Sequence, residues 1–339
     1  MSNLKMFETK TGFYTIKNFQ FGSGESLPEL RLHYRTLGEP KTDGYGRVNN
    51  AVLILHGTSG SSEGFLAPNF AAELFKPGEP LDIEKYFIIM PDNIGHGESS
   101  RPSDGLKASF PKYGYYDMVA AQHQLITQHF EIERLRLVMG TSMGGMHTWM
   151  WGYLHPNMVD ALLPLASAPV QIAGRNRMLR RMIIDAITQS PDYNEGNYIE
   201  QPFGLTAATH IVMVMVGSPT QWHKMAPTLE KADSTFDLLV QGFRGRFDAN
   251  DLLYQFSASF DYNPQPHLEK IIAPLVAINA ADDLVNPPEL GILEEEIRRV
   301  KNGTAIVQDD WPNLHGHRTH SMAAVWKHHL ADLMEKTKS

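Results

Sequence analysis

No cysteine occurs among the 339 residues, which removes disulfides, thiolate metal ligands and a cysteine nucleophile together. The compartment is not fixed by that absence, since proteins of oxidising compartments can also lack cysteine. Basic residues are outnumbered as well, 30 Lys and Arg against 38 Asp and Glu, for a formal net charge of -8. A nucleic-acid binder usually needs the opposite balance on one face. No run approaches the roughly 20 apolar residues a membrane helix requires, so neither nucleic acid nor membrane is expected as a partner. The opening "MSNLKMFETKTGFYTIKNF" has no charged segment followed by an apolar core of the signal-peptide kind. The expectation is a chain that is not exported and works in the cytoplasm. Internal repeats and low-complexity tracts are also lacking.

What is present is 42% hydrophobic residues, enough at this length for a large core. "FYTIKNFQF" and "ELRLHYRTLG" alternate apolar with polar residues around "GSGESLP", which predicts an antiparallel opening pair. "AVLILHG" and "YFIIMPDNIGHGESS" are nearly continuous apolar runs ending in glycine loops, as central parallel strands buried on both faces would be. "DMVAAQHQLITQHF", residues 117–130, predicts a helix with Asp117 as its N-cap. "LRLVM", "DALLPLAS", "APLVAINA" and "TAIVQDD" continue the strand rhythm. The pattern is α/β, a mostly parallel sheet flanked by helices. Between Pro169 and Pro266 the rhythm gives way to helix-compatible, Met- and Arg-rich sequence. The expected division is a core over 1–168 and 267–339, with a helical cap inserted at 169–266.

In "LVMGTSMGGMHTW", Gly140 and Gly144 lie two residues either side of Ser142, the G-x-S-x-G spacing. A strand turning sharply into a helix needs small residues there, and the strained serine is lifted above the sheet edge. A plain Gly/Ser linker turn would have the same letters, so context must decide. A serine hydroxyl becomes a competent nucleophile only beside a base that is itself oriented by a carboxylate. Later strand ends offer both, in the order Ser, Asp, His. "ADDLVNPPE" carries Asp282 and Asp283, and "WPNLHGHRTH" carries His315, His317 and His320, with position favouring His317. Two backbone N–H groups should form the oxyanion hole, those of Met143 and of Thr58, with Gly57 permitting close approach. His56 and His96 read as loop scaffolding. The histidines with Asp309 and Asp310 present no H-x-x-x-H helix face, so neither a metal nor a cofactor is expected.

These segments resemble the α/β-hydrolase superfamily, and within it the homoserine O-acetyltransferase-like branch. "LRLHYRTLGEP", "PGEPLDIEKYFIIMPDNIG", "FPKYGYYDMVAAQHQLI", "GTSMGGMHTWMWGYLHP", "ADDLVNPPE" and "GHRTH" carry the likeness across most of the chain. The resemblance implies Ser142 as nucleophile, Asp283 (before "LVNPP") as orienting carboxylate and His317 as base. It also implies a homodimer formed through the cap and a substrate-binding role for Arg181. Two features depart from the transferases. Arg318 stands where they carry an aspartate that holds the amino group of homoserine, and "HGESS" replaces a "GSTGP"-like loop. The expected activity is therefore hydrolysis of a small or medium carboxylic ester through an acyl-enzyme, with methionines and aromatics of the cap lining the acyl pocket. Transfer of the acyl group to an alcohol, with acetyl-CoA as a donor, is the alternative, and Arg175, Arg177, Arg180 and Arg181 could meet CoA phosphates or a substrate carboxylate. Ligand binding without turnover is the third reading.

Overall fold

The computed structural model describes residues 7–337. Eight strands form one sheet: β1 (Lys10–Gln20), β2 (Ser26–Leu37), β3 (Ala51–Leu55), β4 (Phe87–Pro91), β5 (Leu137–Thr141), β6 (Leu162–Leu165), β7 (Leu275–Ala280) and β8 (Gly303–Gln308). Their spatial order is β1-β2-β4-β3-β5-β6-β7-β8. β1 and β2 pair antiparallel, β2 meets β4 antiparallel, and β3 through β8 run parallel. The apolar runs explain the centre: β3, β4, β5 and β6 are buried at every residue, as strands covered on both faces must be.

Helices α1 (Pro68–Leu74), α2 (Tyr115–Gln124) and α3 (Met143–Leu154) follow strands in the first half, and α9 (Ile292–Glu296) and α10 (Ala323–Lys336) complete the second. Two apolar layers sandwich the sheet. Met118, Val119, Trp149 and Trp151 of α2 and α3 belong to one layer, and Phe70, Leu74, Trp326 and Leu330 of α1 and α10 to the other. Between β6 and β7 lie α4 (Gly174–Thr188), α5 (Phe203–Val216), α6 (Pro219–Met225), α7 (Leu229–Arg244) and α8 (Ala249–Ser257). They have an apolar cluster of their own, including Ile183, Ile187, Leu205, Val212, Leu252 and Phe256. We call this helical group the cap. Among the described residues no single helix is long and apolar enough to cross a membrane.

Two local expectations need correction. The helix expected to start with Asp117 begins two residues earlier. Asp117 sits inside its first turn and reaches back to accept the Gly114 N–H at 2.9 Å, while its other oxygen takes the Gly22 N–H at 2.8 Å. The helix also gives way to a π-helical turn over Leu125–His129. The strand expected at 135–139 is β5, two residues further on, so it delivers the chain directly to Ser142.

Candidate active site

The strand order reverses at β3, because the chain steps from β3 to β4 on one side and later places β5 on the other. Ligands of such sheets bind outside the carboxyl ends of the strands near that point. Four of those ends supply the site.

At the end of β5, Ser142 has φ 54° and ψ −111°, a left-handed backbone that costs a non-glycine residue on the order of 1–3 kcal/mol. Its neighbours explain how the turn closes. A Cβ on Gly140 would lie 2.2 Å from the Gly144 carbonyl oxygen, and one on Gly144 would lie 1.9 Å from that of Leu55. Only glycine fits either position. No side chain caps α3, so its first amides, including that of Met143, face the space beside Ser142 with the positive end of the helix behind them.

Ser142 Oγ lies 2.8 Å from His317 Nε2, and His317 Nδ1 lies 2.9 Å from Asp283 Oδ2. His317 and Asp283 are both buried. The second oxygen of Asp283 accepts the backbone N–H groups of Val285 at 2.7 Å and Asn286 at 3.2 Å. Burial by itself would raise this carboxyl. The facing His317 imidazole and its hydrogen bond, joined by the two backbone donors, outweigh burial and hold it below the usual aspartate value. The side chain is thus an anion with one oxygen pinned by the backbone and one turned to the imidazole. Asn286 Nδ2 in turn donates to the Ala166 carbonyl at 2.9 Å, tying the loop to the neighbouring strand end.

Asp282 has a different set of partners. Its Oδ2 accepts Ser218 Oγ–H at 2.9 Å and the Gly316 N–H at 2.8 Å. One carboxylate therefore joins the start of α6 in the cap to the residue preceding His317.

The loop after β3 brings Gly57 against the elbow, where a Cβ would meet Ser142 Cβ and the Thr141 carbonyl oxygen, each at 3.3 Å. The next peptide unit, Gly57 C=O with Thr58 N–H, is held from its carbonyl side by His56 Nδ1 at 2.9 Å and Gly60 N–H at 3.0 Å. His56 Nε2 accepts the Asn93 N–H at 3.0 Å, which puts the His56 proton on Nδ1. Burial lowers its pKa and keeps it neutral. His96 packs beside His56, with ring centroids 5.1 Å apart. Both serve as scaffold for the loops around Ser142.

These loops and the cap enclose a cavity of about 350 Å³ lined by Thr58, Ser142, His317 and Arg318, with Phe65, Val212, Met215 and Phe256 among its apolar wall. Among the described residues no carboxylate lines it, while Arg180, Arg246 and Arg318 do. Arg180 is buried. It donates to Asn176 Oδ1 at 3.0 Å and Ser259 Oγ at 3.2 Å and lies over the Phe256 ring at 5.5 Å. The expectation for Arg181 is corrected here. It points to solvent, ion-paired to Asp185 at 2.6 Å across one turn of α4, and its neighbour Arg180 faces the cavity. Nor does Arg175 reach the Ser142 cavity; it donates to the Leu284 carbonyl. Arg246 and Val285 had no signal in the sequence that set them apart.

A family profile for the alpha/beta hydrolase fold matches residues 50–297. A "Probable acyltransferase" of Methanothermobacter thermautotrophicus is 30% identical over 286 residues, 84% of this chain and 86% of its own. The homoserine O-succinyltransferase of Aromatoleum aromaticum is 32% identical over 78% of this chain and 77% of its own. Among solved structures, esterase E22 superposes with a TM-score of 0.83 at 18% identity, covering 96% of this chain and all of its own, 100%. A homoserine O-acetyltransferase from Bacillus anthracis gives 0.82 at 21% identity, covering 97% and 98%. At those identities the superpositions speak for the fold. The chain belongs to the α/β-hydrolase fold family. Within it the sequence falls in the homoserine O-acetyltransferase-like branch, and by its family and its relatives the protein is an enzyme of the hydrolase or acyltransferase type.

Proposed function

We propose that the protein is a serine hydrolase that cleaves a small or medium carboxylic ester bearing a negative charge, through an acyl-enzyme. The carrying observation is the unbroken hydrogen-bonded chain from Asp283 through His317 to Ser142, beside a cavity lined by three arginines and, among the described residues, by no acid. His317 Nε2 takes the Ser142 proton as Oγ attacks the ester carbonyl. The proton then passes to the departing alcohol oxygen, leaving the acyl group on Oγ. Water enters by the reverse use of His317, and the acid leaves. Asp283 holds the imidazole tautomer and faces its positive charge when it forms. The amides of Met143 and Thr58 are the donors for the tetrahedral oxygen. Arg180 favours the charged substrate, because a buried guanidinium with no carboxylate partner among the described residues gains most from an anion brought to it.

Transfer to an alcohol is the second reading, favoured by the acyltransferase names of the relatives. Arg318 and the lack of an acid at the cavity wall speak against holding an amino group, which is why hydrolysis ranks first. The test is release of p-nitrophenol from short p-nitrophenyl esters, including a hemisuccinate, by wild type and Ser142→Ala, with products weighed in the presence and absence of homoserine. Free acid from wild type alone is expected. Acylated homoserine would make the protein a transferase, and release that does not depend on Ser142 would remove the acyl-enzyme reading and favour a ligand-binding role.

A further inference from the structure

A second cavity, of about 190 Å³, lies beyond the carboxyl ends of β6 and β7. Met146, Val170, Ile172, Leu290 and Leu293 are among its lining residues. Its wall is mainly apolar. Among the described residues, Val285 alone lines both this space and the Ser142 cavity. Val285 is 4% exposed, sits two residues after Asp283, and packs into the apolar cluster of the cap. Its backbone amide donates to Asp283, so the chain is fixed at this point beside both spaces.

We propose that the Val285 side chain is the stop that limits acyl-chain length, and that the apolar cavity behind it is an unused extension of the acyl site. This rests on the ester-cleaving reading above. An acyl chain on Ser142 that grows toward Val285 meets its two methyl groups. With those removed, further methylenes would pass into a space walled mainly by apolar groups, with Gln171, Arg175 and Glu294 also among its lining. The carboxylate of Asp283 would be undisturbed, because it is bound by the Val285 N–H and not by the side chain.

The experiment measures kcat/KM for p-nitrophenyl esters from acetate to decanoate with wild type, Val285→Ala, Val285→Leu, and Val285→Ala combined with Val170→Phe. Wild type should fall off beyond a short chain. In Val285→Ala the ratio of octanoate to butyrate should rise, by about fourfold for each methylene that enters the new space, the transfer free energy of a methylene converted to a rate ratio. Val170→Phe should cancel that gain by filling the far cavity. Val285→Leu should move the cutoff toward shorter chains, and it keeps the idea testable if the alanine variant folds poorly. An unchanged chain-length profile in Val285→Ala or Val285→Leu would overturn the proposal. So would an equal loss at every length, which would mean that Val285 only supports the Asp283 loop. Absence of Ser142-dependent cleavage by wild type would instead overturn the ester-cleaving reading itself.

Discussion

Asp282 and Asp283 are adjacent copies of one side chain with separate partners, and hydrogen bonding alone tells them apart. Asp283 faces His317 and is held anionic by it, whereas Asp282 is taken up by Ser218 and Gly316. Asp283→Asn should lower kcat by about 10³–10⁴-fold, because the amide favours the wrong imidazole tautomer. Asp282→Asn keeps an acceptor oxygen and should cost under about tenfold, the range of one weakened hydrogen bond. Steady-state kinetics on one ester decides between them, and a larger loss at Asp282 would reverse the assignment. Arg180 invites a two-sided test. Arg180→Met should raise KM for a hemisuccinate ester by about ten- to a hundredfold while a neutral ester changes little, the worth of a charged hydrogen bond. Its melting temperature should fall only slightly, since the donors lost to Asn176 Oδ1 and Ser259 Oγ are set against the removal of a buried charge.

At the scale of elements, "MGGMHTWMWGYL" predicts a helix, with small residues at one end and His-Pro after the other, and α3 spans those residues. The strand ends that carry the site were readable too, since each apolar run stops at a Gly-, Asp- or His-bearing loop. The phase of α4 was hidden. Its buried stripe is Asn176, Arg180, Ile183 and Ile187, so half of the inward face is polar, and four arginines in seven residues gave no apolar contrast to show which one turns in. The choice between Asp282 and Asp283 was equally invisible to patterning, for it depends on contacts with segments 34 and 64 residues away. The start of α6 meets the sheet loops at Ser218. Ser218→Ala should lower kcat about three- to tenfold with KM nearly unchanged. A change confined to KM would place that residue in substrate capture and not in alignment of the base.

For the molecule as a whole, acid should act through its buried histidines. Burial, reinforced by neighbouring histidines, lowers both His96 and His147, the former to about 3, far under the ordinary value near 6.5. The unfolded chain then binds protons that the folded chain refuses, so stability is full above about pH 6.5 and declines as pH falls toward 3, by about 1.4 kcal/mol per pH unit for each such histidine. Urea midpoints at pH 7.5, 6 and 5 check this. The expected order is a steady decrease, and a flat series would show that neither ring stays neutral in the fold. The same whole-molecule view gives the Asp282 carboxylate a meaning beyond its own loop. A single oxygen atom is moored both to the roof and to the loop that carries the proton shuttle. The cap and the catalytic base thus share one anchoring atom, well outside the reacting atoms.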